Sequence, residues 1–167
     1  MALKPPHVLL AGRNPRQVKD NLTGILDQAA LQLIEGAIHA NVALLYSLGS
    51  QQYSFARRLH ARHWRQVVSR AYYGAYNVSR AIRLQVHGEF STEVRDHQKF
   101  ESLPDDFPKK HTYSNLLTTL RDDRNLCDYD HTAMETDLVI GRSAALTLVR
   151  DFISDAKGYL VTLGLTL

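Results

Sequence analysis

The chain has 167 residues, a formal charge of +3 and a single cysteine, Cys127. That length suits one domain spanning residues 1–167 with its own core and is short for two, while a lone cysteine excludes an internal disulfide and favours a reducing compartment. The opening MALKPPHVLLAGRNP lacks the basic start, apolar stretch and cleavage site of a secretion signal, and no later run approaches the ~18 apolar residues of a membrane span, so a cytoplasmic protein with no membrane contact is expected.

In chain order, residues 1–14 are expected to be irregular. Asn14-Pro15 reads as an N-cap followed by proline at the first helical position, and Val18, Leu22, Ile25, Ala29, Leu33, Ala37, Leu44 and Leu48 continue at mostly helical spacing. One long helix ending near Gly49 is predicted. Gly24 and Gly36 fall inside it and allow either a kink or a close helix contact. A second helix carries Val67, Ala71, Ala75, Val78, Ile82 and Val86 in one apolar stripe and stops at Gly88. Residues 89–111, with Pro104 and Pro108, form a connector that has room for a short helix around Glu93 to Leu103; His97 would help to hold it.

Leu116, Leu117 and Leu120 open a third helix. Its end is placed by Thr132-Ala-Met-Glu135, which matches a capping box and starts a fourth helix near Ala133. Met134, Leu138, Gly141, Ala145, Leu148, Phe152 and Tyr159 give that helix an apolar seam able to meet a partner helix or the chain's own core. With no alternating strand pattern, the fold class is all-α, most simply an up-and-down four-helix bundle. Such a bundle serves many functions.

Charge is distributed unevenly. Between Glu35 and Glu89 there is no acidic residue, yet Arg57, Arg58, Arg62, Arg65, Arg70, Arg80 and Arg83 lie there with His60, His63 and Trp64. Arginine outnumbers lysine 14 to 6, and the planar guanidinium fork suits phosphate oxygens better than an ammonium does. Arg58, Arg62 and Arg65 are therefore candidate RNA contacts. The alternative is a solvated helix face paired with acids from residues 89–137.

The segment from Arg121 to His131 is the most chemically loaded. Arg121, Arg124 and Asp128 share a helix face, whereas Arg124 and His131 would lie ~10.5 Å apart along a continuous helix. If the helix ends before Thr132, His131 sits in a turn and can approach Arg124. A histidine with an ordinary pKa near ~6.5 can move the proton of a ribose 2'-hydroxyl or protonate the leaving oxygen, and an arginine stabilises the phosphate charge that builds up. DNA lacks that hydroxyl, so the substrate would be RNA. The plainer reading makes Arg124 and Asp128 an ordinary i, i+4 ion pair. Tyr72, Tyr73 and Tyr76 are read as packing residues, with base stacking as the alternative. Arg58 and His63 repeat the arginine–histidine spacing without its surroundings. No metal-ligand pattern and no cofactor motif is present.

Two separated stretches resemble the HEPN family (higher eukaryotes and prokaryotes nucleotide-binding). Ser69-Arg-Ala-Tyr72-Tyr73-Gly-Ala-Tyr76-Asn-Val-Ser-Arg80-Ala-Ile resembles its aromatic-rich helix, and Arg124-Asn125-Leu-Cys-Asp128-Tyr129-Asp-His131 resembles its arginine, four-to-six-residue, histidine motif. The resemblance spans about residues 65 to 155. It implies a helical bundle that forms a homodimer and brings two motifs into one cleft, and a metal-independent ribonuclease of toxin–antitoxin or defence systems, partnered by an antitoxin or another defence protein. It gives Arg124 the phosphate, His131 the proton and Asn125 an orienting role, with Asp128, Arg121 and Tyr129 in support. Where family toxins silenced by nucleotidyl transfer carry a tyrosine two residues after the histidine, this chain has Ala133. A non-catalytic HEPN module that binds a nucleotide, nucleic acid or protein is the other function implied.

Overall fold

A computed structural model describes residues 14–89 and 102–167. Among them there are five α-helices: α1 Pro15–Leu22, α2 Gln28–Ala56, α3 Trp64–His87, α4 Lys110–Tyr129 and α5 Arg142–Thr162. Single 3₁₀ turns cover Ala61–His63 and Glu135–Asp137, and no strand is present among the described residues. The expected irregular start, the short helix around Glu93 and the role given to His97 lie outside the described residues.

The predicted first helix is two. Asn14 caps α1 by accepting the Gln17 N–H at 3.1 Å, and its amide donates to the His87 carbonyl at 2.9 Å, tying the start of α1 to the end of α3. α1 then stops at Leu22, because Gly24 takes a left-handed φ of +82° and the Asp27 carboxylate caps a new helix through the Ala30 N–H at 2.8 Å. A capping aspartate inside an apolar repeat is invisible to periodicity. The two helices remain joined at Glu35, which meets Lys19 at 2.6 Å, His39 at 3.0 Å and Arg16 at 3.5 Å.

α2 does not end at Gly49 but runs seven residues further, to Ala56. Gly49 is buried at the crossing with α3: a Cβ there would stand 2.6 Å from the Gly74 carbonyl oxygen and 2.7 Å from a Val78 methyl. The missing side chain lets the two backbones touch. Gly36 has no such neighbour within 4 Å, so close packing belongs to Gly49 and not to Gly36. The opposite face of α2 leaves Leu33, Leu44, Leu48 and Phe55 exposed. α2 also contains an 18-residue window of mean hydropathy 1.2, of which 17% is buried. By length and composition alone it meets the criterion for a membrane span, which core helices of water-soluble bundles also meet.

α3 is the central element and packs on α2, α4 and α5. Its stripe of Val67, Ala71, Ala75, Val78 and Ile82 is wholly buried, and Gly88 closes it with a φ of +66°. α4 begins at Lys110, six residues before Leu116, because Tyr113 extends its buried face of Leu117 and Leu120. α5 begins at Arg142 and not near Ala133. Thr132 turns its hydroxyl back to donate to Asp130 at 2.6 Å, and the Met134 N–H goes to the Asp137 carboxylate at 2.8 Å, closing a single 3₁₀ turn where a helix start was expected. The N–H groups of Val139 and Ile140 are instead taken by the buried Asp123 carboxylate of α4, at 2.8 and 2.9 Å. The seam from Ala145 to Tyr159 is buried in the chain's own core, while Met134 lies outside α5 and is exposed. Phe107 docks the connector onto that core with ring centroids 5.7 Å from Phe152 and 5.2 Å from Tyr159.

Two glycine substitutions should act in opposite directions. Gly49→Ala overpacks the crossing and is expected to cost about 1–3 kcal/mol, a fall in Tm of roughly 3–10 °C for a chain of this size. Gly36→Ala should gain about 0.5–1 kcal/mol. Thermal melts followed by circular dichroism check both, and equal responses would contradict the backbone contact.

Candidate functional site

Arg124 projects from α4 into a box of aromatic rings. Its guanidinium carbon lies 5.4 Å from the Tyr72 centroid, 5.2 Å from Tyr73 and 5.1 Å from Tyr129. Nη2 donates to the Tyr73 hydroxyl at 2.5 Å and Nη1 to the Asn125 carboxamide oxygen at 3.1 Å. Nε is 2.8 Å from the Asp128 carboxylate, but its N–H points off that line, so the contact is charge pairing and not a hydrogen bond. The side chain is only 11% exposed. Burial pulls the Arg124 pKa down, yet the Tyr73 hydroxyl and the Asp128 charge outweigh it and the net shift is upward. Arg124 is therefore a fixed, permanent cation. Asp128 also accepts from the Ser69 hydroxyl at 3.4 Å, and Arg121 sits half-buried one turn earlier, its Nε 3.7 Å from Asp122.

The tyrosines divide between two tasks. Tyr72 and Tyr76 are buried and stacked, with centroids 6.0 Å apart, and burial pushes the Tyr72 hydroxyl well above the usual phenol range. Neither leaves a ring face for a base. Tyr73, half-buried, is the hydrogen-bond partner of Arg124 from 51 residues away, a pairing that spacing along the chain cannot disclose.

α4 ends at Tyr129, and Asp130 is extended. His131 stands in the following turn, exposed, as the sequence predicted. Arg124, however, is engaged by Tyr73, Asn125 and Asp128, and no hydrogen bond joins it to His131. The turn itself is built by Asp130, whose carboxylate accepts the Thr132 hydroxyl at 2.6 Å and N–H at 2.9 Å. Those two bonds hold its pKa below the usual carboxylate range.

Arg65 departs from its expected role. Its guanidinium donates to the carbonyls of Leu126 at 3.3 Å, Cys127 at 3.0 Å, Asp130 at 2.7 Å and also to that of Ala133. The last turn of a helix leaves carbonyls without partners and carries partial negative charge, so a guanidinium there satisfies both demands. Arg65 thus holds the turn that bears His131 against the start of α3 and does not face solvent as an RNA contact. The exposed residues Arg57, Arg58, His60, Arg62 and His63 lie in the loop immediately before Arg65, whose guanidinium grips the 126–133 turn. Arg62 Nε lies 3.2 Å from the His63 ring nitrogen, and Arg58 remains open to solvent. The exposed 57–63 loop therefore runs directly into the helix turn whose Arg65 holds the 126–133 turn. Among the described residues, no group of three or more His, Cys, Asp and Glu side chains is placed to hold a metal ion. An open groove of about 600 Å³ between α4 and α5, lined by Lys109, Tyr113, Leu116, Ile140, Ser143 and Asp151 among others, carries no comparable cluster of cations.

Arg65→Ala should remove the charge-assisted bonds to these four carbonyls, leaving those of Leu126 and Asp130 with backbone partners only, and lower stability by about 2–3 kcal/mol, with Arg65→Lys only partly better because an ammonium cannot fork. Urea unfolding checks this, and an unchanged midpoint would remove Arg65 as the staple. Burial, with help from the Asp128 charge, pushes the Cys127 thiol up to about 12; it should resist iodoacetamide at pH 8 in the folded protein and react promptly in urea, as mass spectrometry would show. No protein-family model matches the chain, and no curated protein or solved structure matches it either, so the chemistry of this surface rests on its own residues.

Proposed function

We propose that the chain is a HEPN-type, metal-independent endoribonuclease that cleaves single-stranded RNA, acts as a homodimer in the cytoplasm and serves as a toxin or defence effector. The observation that carries this reading is the turn bearing exposed His131 just beyond the helix of Arg124, gripped by Arg65, which follows the exposed basic loop by two residues. The loop supplies Arg58 and Arg62 for the phosphate backbone, a sequence-independent attraction suited to a polyanion. Arg124 supplies a fixed cation for the scissile phosphate, and exposed His131 supplies the group that moves a proton. The balance is that of an internal transfer: the ribose 2'-oxygen attacks phosphorus, its proton leaves to a base, the 5'-oxygen departs with a proton, and a 2',3'-cyclic phosphate remains.

Arg124 and His131 are not joined within one chain, and a second copy across a two-fold axis would complete the site by placing one protomer's histidine near its partner's arginine. The four long helices, α2 to α5, are taken in this reading as the up-and-down bundle of that family. An antitoxin or another defence protein remains its proposed partner.

A second reading has its own observation. Arg124 is mostly covered, with each guanidinium nitrogen engaged, while Arg58 and Arg62 are open; this favours a non-catalytic module that binds nucleic acid through the loop. The two readings separate cleanly. Purified protein in EDTA should cut unmodified single-stranded RNA to cyclic-phosphate ends, and His131→Ala should slow cutting by about 100-fold or more, the scale of a lost general acid or base, without moving Tm. Salt-sensitive binding that is lost in an Arg58→Ala/Arg62→Ala variant, with no cleavage by any form, would select the binding module instead.

A further inference from the structure

The exposed aromatic at the end of α4 has a task that neither reading assigns in detail. Tyr129 is 74% exposed, yet its ring is not free to wander: one face rests on the Arg124 guanidinium with 5.1 Å between carbon and centroid. The cation is itself held from behind by Tyr72 and Tyr73 and at its edges by Asn125 and Asp128. Tyr129 is thus the outermost layer of a stack whose inner layers are fixed by the core. Its other face looks to solvent, and the backbone on either side of it is held by Arg65 through the Cys127 and Asp130 carbonyls.

We propose that Tyr129 is a base-stacking platform that selects unpaired nucleotides, seating one base on its outer face while the adjoining phosphate lies toward the Arg124 side of the ring. The proposal rests on the reading of this surface as an RNA-binding one and names the residue that makes it prefer single strands. A duplex keeps its bases stacked on one another and offers the ring nothing, whereas a splayed base gains a planar aromatic partner. A ring held in advance by a cation loses little freedom when the base arrives, and the cation beneath it adds to the attraction. Stacking uses the π-face that every base has, so the selection is for single-strandedness, with larger purines favoured over pyrimidines, and not for a sequence.

The test measures binding separately from cutting. Fluorescence anisotropy uses a labelled eight-nucleotide 2'-O-methyl RNA, which has no free 2'-hydroxyl to attack, and the same strand with abasic nucleotides. Tyr129→Ala should bind the base-bearing strand about 10- to 100-fold more weakly than the unsubstituted protein, the usual weight of one stacked base. Tyr129→Phe should restore binding to within about twofold, since the ring and not the hydroxyl is used. The decisive comparison is the abasic strand. The unsubstituted protein should bind it about as weakly as Tyr129→Ala binds the base-bearing one, and Tyr129→Ala should no longer distinguish the two strands. If Tyr129→Ala instead weakens both strands by the same factor, the ring merely positions Arg124 and the proposal is overturned. It is equally overturned if the unsubstituted protein ignores the bases or binds neither strand. Base-dependent binding together with failure to cut unmodified RNA would sink the ribonuclease reading and leave the platform standing. Circular dichroism melts of both variants, at a side chain this exposed, confirm that any loss is not a loss of fold.

Discussion

The guanidinium of Arg65 reaches from the first turn of α3 to carbonyls of Leu126, Cys127, Asp130 and Ala133, and the functional surface depends on that reach. A helix C-terminus presents unpaired carbonyls and a partial negative charge. In this chain they are satisfied from another helix and not by a glycine cap or solvent. The same set of bonds therefore ends α4, shapes the turn that carries His131, and fixes that turn against the start of α3. A single planar fork does this because its donors diverge in one plane; a lysine at the same place would reach one or two carbonyls at most.

A second constraint sits behind it. α3 is placed against α2 by the absence of side chains at Gly49 and Gly74, where backbone meets backbone. That close approach leaves the far side of α3 to its tyrosines. Tyr72 and Tyr76 fill the core and Tyr73 meets Arg124. The arginine is thus organised by the helix that the glycines position.

Arg124 illustrates how a cation can be kept both buried and ready. Three aromatic faces, a hydroxyl, a carboxamide and a carboxylate surround it. The off-line geometry at Asp128 makes that carboxylate the least directional of its partners, and an incoming phosphate would compete with it for the same charge. Only Tyr129 among the rings faces outward. The site's specificity is accordingly expected at its rim, and its electrostatics in its interior.

Local chemistry was legible along the chain. The stripe from Val67 to Ile82 is the buried face of α3, Gly88 ends that helix, Asn14-Pro15 begins one, and His131 lies beyond the end of α4, since a 3.6-residue period and cap preferences involve neighbours only a few positions apart. The all-helical class followed from the same periodicity. Other features depend on what is adjacent in space. The Asp27 cap that splits the first predicted helix was masked by an apolar repeat, and in place of the Thr132 box the Thr132 hydroxyl is turned back toward Asp130 while Asp137 takes the Met134 N–H. Gly49 looks like a stop until Gly74 is beside it, and Asp123 looks solvated until Val139 and Ile140 present their N–H groups. Arg65 reads as one more surface cation, and Tyr73 as one more ring, until the residues some 50 to 70 positions away that they bind are known. By itself the sequence determined the helical class, the buried stripe of α3 and that Arg124 lies near the end of a helix with His131 just beyond it. Which cations are structural and which are open was decided only by tertiary packing, because a guanidinium goes to whichever carbonyl, ring or phosphate the fold brings within reach.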